Sequence, residues 1–451
     1  MNRLFIYFAT VLTITSIGCS KLSNDRLDTK VTHTLPLPTN LYGHCFDEKE
    51  LRQFAQYVVP VAFSQDEHTK SNGKEIESII PFSETPWYCA LDDSLANELI
   101  NKVYLINYKY NQGFAIICTD NRTDQLLGYS DNGNIIIPVE TKNGTYDITG
   151  EHTIDEILTL LPYYFSGLDQ YLIPYPSFQE DSLDANGFYY CAPEAYYSSW
   201  YITDLSTAHT NASWGQLEPY NYYFEPQTNS PNGIPYKPYV GCAAIAIGQI
   251  LNRYCAPEQI AVWTDWTHSI DLDWPYYGQV SAVRDSTHAL ASLLRVLADV
   301  LDSEFYYNGT ATSTVNIKAG LDAIGYTYDN FITTDMDNYN LYRIAQSISN
   351  GRPVIAFGAP NIYSSGHFWD IEGYRKEQRE RLIEWSVYNP NMEFVGRWAS
   401  IIQNSTQDHV YVYCNWGFDG QYNGWFISQL FNPNGASFSS NLKIVSNIRP
   451  L

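Results

Sequence analysis

The chain has 451 residues, 49 of them acidic and 26 basic, and a formal net charge of −23. Apolar residues make up 45% and charged residues 17%, which excludes wholesale disorder and leaves room for two or three domains. Residues 191–451 hold 14 Lys or Arg against 24 Asp or Glu, leaving 12 against 25 in residues 1–190, so both parts repel phosphate backbones and nucleic acid is excluded as a partner.

Residues 1–20 read MNRLFIYFATVLTITSIGCS. One Arg precedes an apolar stretch over residues 4–17, too short for a stable membrane span, and the whole reads as a secretory signal peptide. Its end, Ser16-Ile17-Gly18-Cys19, resembles a bacterial lipoprotein cleavage box, with Ser16 where Leu is usual. The expectation is an exported chain: a lipoprotein of the outer membrane or cell surface anchored through Cys19, or a secreted or periplasmic protein.

Residues 48–64 open on a charged turn and continue with apolar residues at helical spacing. Residues 103–118 read as a hairpin turning at Asn111-Gln112-Gly113, and strand character continues at 126–129 and 133–139. Thr153 to Glu156 matches a capping box that opens a helix bearing Ile154, Ile157, Leu158 and Leu161, which Pro162 kinks or ends. Residues 172–188 combine prolines, Gly187 and acidic residues without a period, as a protease-sensitive linker does. The expected organisation is a signal over 1–19, a smaller α+β module over 20–171, a linker with a processing site over 172–190, and a larger module over 191–451. In the larger module, helices are expected at 241–254 and 288–301, then strands at 354–358, 367–374, 381–388 and 410–416, which is an α+β pattern.

The cysteines after Cys19 are Cys45, Cys89, Cys118, Cys191, Cys242, Cys255 and Cys414. They form no CxxC or CxxxH pattern, so no metal site or cofactor is expected. Cys242 follows Gly241 at the start of an apolar helix, where backbone N–H groups and the helix dipole favour a thiolate. A thiolate nucleophile needs a base, and His268, His288, His367 and His409 lie downstream. His367 follows a Ser364-Ser365-Gly366 turn and begins a strand, with His409 as its rival at the next strand. Asn415-Trp416 closes a strand before a Gly-rich turn, so the Asn415 amide can accept from an imidazole N–H and Trp416 can shield that bond. Upstream, Gln216 in Ser213-Trp214-Gly215-Gln216 can help hold an oxyanion together with the Cys242 backbone N–H.

Together, WGQLEPYN, GCAA, GHFWDIEGY and NWGFDGQYNGWF resemble the motifs of the streptopain-like secreted cysteine peptidases of bacteria. The resemblance spans roughly residues 214–426 in order and spacing, and GFAII followed by LGYSD resembles the family's inhibitory propeptide. It implies a papain-like α+β catalytic domain made as a zymogen behind a smaller α+β pro-domain that acts as an intramolecular inhibitor. It implies Cys242 as nucleophile, His367 as base and acid, Gln216 in the oxyanion hole, and Asn415 with Trp416 orienting and shielding His367. Protein or peptide substrates are implied, with a hydrophobic residue two before the scissile bond. Glu372 stands where the family usually has Asp, and Phe418-Asp419 where it has Trp-Gly. Two other readings compete: a catalytically degenerate surface lipoprotein binding glycan or protein through its aromatic residues, and an acyl transferase or amidase using the same nucleophile. Six cysteines remain beside Cys19 and Cys242, an even number that permits three disulfides.

Overall fold

The N-terminal helix starts where its cap dictates. Asp47 accepts the Glu50 N–H and the Glu50 carboxylate accepts the Asp47 N–H, which closes a capping box before Glu48–Gln53. Five residues, Phe54–Val58, then wind as a π-helix before the α-helix Val59–Phe63. Pro60 offers no N–H to the Gln56 carbonyl, which accepts the Lys74 N–H at 2.9 Å instead. The structure is a computed structural model that describes residues 43–137, 139–140, 146–147, 155–166, 182–183, 187–228, 230, 233–257, 259–262, 265–271, 288–307, 309–329, 332–333, 338–358, 366–431 and 442–451. Two compact units divide the chain, Met1–Thr39 and Asn40–Leu451; the first, with Cys19, lies outside the described residues.

The expected hairpin forms from Val103–Tyr108 and Phe114–Cys118. Gly113 at its turn has φ +96°, and a Cβ there would sit 1.9 Å from the Ser130 carbonyl, so only glycine fits. Ile76–Pro81 pairs outside the hairpin and Leu126–Ser130 on its other side, all antiparallel. Strand character at 133–139 is not found: residues 133–137 are irregular, and only Val139–Glu140 pairs, with Tyr146–Asp147. Asn107 explains the difference, since its side chain binds both the N–H and the carbonyl of Ile135 and takes the place of a ladder partner. The helix expected to kink or end at Pro162 breaks just before it: Asp155–Leu158 forms, and Pro162 stands at the second position of a new helix, Leu161–Ser166, where its missing N–H costs nothing. Thr153 and Ile154 lie outside the described residues, as does most of the 172–190 linker.

In the larger module, the helix Cys242–Tyr254 packs beside His288–Val300, and Ala243 through Asn252 are all buried. The strands expected at 367–374 and 381–388 are one long strand, His367–Tyr388, paired with an equally long one, Phe394–Asn415. Tyr201–Thr207 and Tyr189–Tyr197 pair along the same long strand. Tyr201–Thr207 and the helices Thr314–Ala323 and Asn338–Ser349 had no clear sequence signal.

One antiparallel sheet joins the two modules. Leu126–Ser130 pairs with Gly424–Ile427, placing Ser130 opposite Gly424, Tyr129 opposite Trp425 and Gly128 opposite Phe426. Gly424–Ile427 pairs in turn with Phe394–Asn415, and the sheet continues through His367–Tyr388 to Val354–Gly358. A single apolar core runs beneath this join, from Leu105 and Phe114 to Trp369 and Phe426. Cys45, Cys89, Cys118, Cys242, Cys255 and Cys414 are free thiols, so the permitted disulfides do not form among them.

Candidate active site

Cys242 is the first residue of its helix, after Gly241 with φ +103°. A Cβ on Gly241 would lie 2.9 Å from Thr310 Cγ2, so both its torsion and its surroundings require glycine. His367 begins the long strand opposite Gly358, and Phe368, next along, donates its N–H to Cys242 Sγ at 3.4 Å. His367 Nε2 faces the Trp416 backbone carbonyl at 2.9 Å. A carbonyl only accepts, so Nε2 carries the proton and Nδ1 is left for Cys242.

Burial works against a Cys242 thiolate. The charge and hydrogen bond of His367, with the Phe368 and Ala243 N–H groups, outweigh it and hold the thiol below its ordinary value of 9.0. A helix N-terminus contributes at most about 2 kcal/mol. Removing an ion from water costs several kcal/mol, so the imidazolium is needed as well. For His367, burial again opposes the ion, but the Cys242 charge, the Cys242 hydrogen bond and the Trp416 carbonyl raise its pKa above 6.5. Burial opposed by hydrogen bonds alone pushes Cys118 up to about 12 and Cys414 well above the usual thiol range. The arrangement therefore favours a thiolate–imidazolium pair at Cys242 and His367.

The Asn415 amide does not meet the imidazole. Its Nδ2 donates to Glu372 Oε1 and to the Ala212 carbonyl, each at 2.8 Å, and its Oδ1 accepts from Asn423 Nδ2 at 3.1 Å. The expected imidazole contact thus passes to the next residue's backbone, because buried groups from three segments already occupy the amide. Trp416 is buried with its ring 6.3 Å from the imidazole, while the Phe418 ring is nearer, at 4.8 Å. Trp369 lies parallel to the imidazole at 6.5 Å.

Gln216 is brought towards Cys242 by the chain: its carbonyl accepts the Val240 N–H at 3.0 Å, two residues before Cys242. The same loop is pinned from below, where Trp214 donates its N–H to Gln249 Oε1 at 3.2 Å. Asp419 holds it from the side, donating its N–H to the Trp214 carbonyl at 3.0 Å and accepting from the Tyr220 hydroxyl at 2.8 Å. A groove of about 400 Å³ opens between Gln216 and Phe418 on one wall and Asn111, Asn134 and Ile136 of the N-terminal module on the other.

His409, the rival base, lies elsewhere. It pairs with Asp124 of the N-terminal module and lies tilted against the Trp200 ring, with ring centroids 3.6 Å apart. His288 is held by the Tyr223 hydroxyl at 3.1 Å, and the His268 side chain lies outside the described residues. The Phe368 N–H and the Phe418 ring were not anticipated. A backbone donor leaves no mark in sequence, whereas Phe418 stood in a motif already singled out.

An inhibitory module followed by a thiol peptidase domain is the class that this chain defines. Residues 214–426 match the Peptidase C10 family and residues 62–146 match the Spi protease inhibitor family. The chain carries a cysteine peptidase domain of the Peptidase C10, or streptopain, family behind an inhibitor-like propeptide domain, which is the organisation of a zymogen. It is similar to a fragment of prointerpain A from Prevotella intermedia, a cysteine-to-alanine mutant, with 19% identity, a TM-score of 0.46, and coverage of 79% of this chain and 96% of that one. It is also similar to active wild-type interpain A cysteine protease from Prevotella intermedia, with 20% identity, a TM-score of 0.37, and coverage of 54% and 95%. No curated protein matches. No helix among the described residues is long and apolar enough to cross a membrane.

Proposed function

We propose that this peptidase cleaves protein substrates with Cys242 as nucleophile and His367 as general base and acid. The observation that supports this most is the 2.9 Å contact of His367 Nε2 with the Trp416 carbonyl, which only accepts and so leaves Nδ1 for the thiol. The thiolate adds to the scissile carbonyl carbon, and the oxyanion is met by the Cys242 N–H and the Gln216 side chain. The imidazolium protonates the departing amine as the C–N bond breaks, leaving an acyl-enzyme thioester. The neutral imidazole then takes a proton from water, whose oxygen attacks the thioester; the acid leaves and the thiolate returns. Trp416 fixes the imidazole through its carbonyl and covers it with its ring, and Asn415 holds the Trp416 peptide.

The N-terminal module acts as the inhibitor in cis. The shared sheet and the groove wall formed by Asn111, Asn134 and Ile136 support this reading. Cleavage within 172–190 releases it. A hydrophobic residue two before the scissile bond is preferred, as the family resemblance implies. The chain is exported on the signal at 1–19, with Cys19 as its lipid anchor. Cys242→Ala abolishes both self-processing and cleavage of a denatured protein; full activity in that variant overturns the proposal. The mass of the N-terminal peptide of membrane-extracted protein tests the anchor, and an unmodified Cys19 removes it.

A further inference from the structure

A buried carboxylate lies behind the site, and the reaction as described makes no use of it. Glu372, 3% exposed, sits on the long strand five residues beyond His367. Its Oε1 accepts from the Thr210 hydroxyl and, at 2.8 Å, from Asn415 Nδ2, while its Oε2 faces His209 Nδ1 at 3.1 Å. Each partner is itself anchored: Asn252 Nδ2 donates to the Thr210 carbonyl at 2.9 Å, and Arg253 donates to the His209 carbonyl at 2.6 Å.

The chain of bonds continues to the imidazole. Asn415 Oδ1 accepts from Asn423 Nδ2 at 3.1 Å, Asn423 Oδ1 accepts the Trp416 N–H at 2.9 Å, and the Trp416 carbonyl accepts from His367 Nε2 at 2.9 Å. The Trp416 carbonyl shares its peptide plane with the Gly417 N–H, which donates to Asn415 Oδ1 at 3.4 Å, while Asn423, held by Asn415, fixes the Trp416 N–H on the preceding peptide, so both sides of Trp416 are tied to the amide that Glu372 holds. Asn415 must present Nδ2 to Glu372 and Oδ1 to Asn423, because a carboxylate only accepts. Glu372, together with the Ala212 carbonyl that also accepts from Nδ2 at 2.8 Å, sets the amide orientation on which the rest depends.

We propose that Glu372 is a positioning residue for catalysis: through Asn415 and Asn423 it fixes the Trp416 carbonyl that selects the His367 tautomer. This rests on the peptidase reading given above. Its requirement is for a hydrogen-bond acceptor at Oε1, and Gln at this position meets it.

The test uses the full-length chain after activation, with competent sites counted by a thiol-reactive peptidyl electrophile. If the parent Cys242 takes no label, the peptidase reading itself fails. Given labelling, Glu372→Ala lowers kcat per labelled site by about 10- to 100-fold with KM little changed, as a misplaced catalytic group does. It also moves the alkaline limb of the kcat profile to lower pH, because His367 loses the carbonyl that favours its protonated form. Glu372→Gln restores most of kcat and the parent profile. Asn423→Ala, which leaves Glu372 and its partners in place, reproduces the Ala phenotype and serves if Glu372→Ala does not fold. A parent kcat and pH profile per labelled site in Glu372→Ala or Asn423→Ala overturns the proposal. A Gln variant as slow as the Ala variant overturns it too, because charge and not orientation would then be what matters.

Discussion

Cys242 and His367 titrate against each other, which gives the activity a pH window with a definite sign. The thiol pKa is held below 9.0 and the imidazole pKa above 6.5, each by the other's charge once burial has been overcome. As pH falls through the lowered thiol pKa, the thiolate is protonated and kcat/KM drops. As pH rises through the raised imidazole pKa, the acid for the leaving amine is lost and kcat/KM drops again. A bell-shaped kcat/KM profile is expected, with limbs belonging to the pair; a flat profile from pH 4 to 10 counts against the pair. Gln216→Ala should lower kcat by about 100- to 1000-fold with intact labelling of Cys242, the usual effect of losing one oxyanion donor. Asp370 offers a stability test. Burial first, and then the neighbouring Glu372 charge, raise its pKa well above 3.8. Its folded form keeps a proton that the unfolded chain releases, so its contribution is full below about pH 3.8 and is lost as pH rises. Asp370→Asn retains an acceptor for Gln249, which now donates to Asp370 at 3.3 Å, and cannot ionise. The melting temperature of the variant relative to the parent should therefore climb from pH 4 to pH 8.

At the scale of elements, the helix that opens on Cys242 is the best-specified part of the chain. Its buried stripe and the preceding glycine were legible because both arise within fifteen residues. Gly241→Ala places a methyl 2.9 Å from Thr310 in a backbone region that L-residues avoid. It should cost about 1–3 kcal/mol of stability in denaturant titration and slow the labelling of Cys242. The long strands were harder to delimit. Residues 375–380 carry Arg375, Lys376, Glu377, Arg379 and Glu380, and this charge hid the continuity of His367–Tyr388. Their partners explain why they fit: the Arg375 guanidinium lies 4.0 Å from the centre of the Phe63 ring, and Arg379 donates to the Asn121 carbonyl at 2.8 Å. Both contacts reach the N-terminal module, more than 250 residues away, and no local pattern announces them.

Across the whole molecule, the two acidic modules meet through a shared sheet. Net attraction is absent between two like-charged parts, and the pairing of Leu126–Ser130 with Gly424–Ile427 supplies backbone hydrogen bonds over a shared apolar core instead. Arg375, Arg379 and His409 add polar links to Ala62, Asn121 and Asp124. Gly128 lies in this join, and a Cβ there would come 2.8 Å from the Phe426 ring. Gly128→Val, a change confined to the N-terminal module, should loosen the docking and speed both probe labelling of Cys242 and processing of the unprocessed chain. Unchanged rates would place the inhibitory contact elsewhere. The opening order of cysteine helix, histidine strand and Asn-Trp turn could be read from residues in line, because each motif is a local pattern of turn, period and side chain. The acceptor for His367, the grip of Asp419 on the Gln216 loop, the buried company of Asn415 and the continuous sheet could not. They join groups tens to hundreds of residues apart, and only the folded backbone decides which buried donor meets which acceptor.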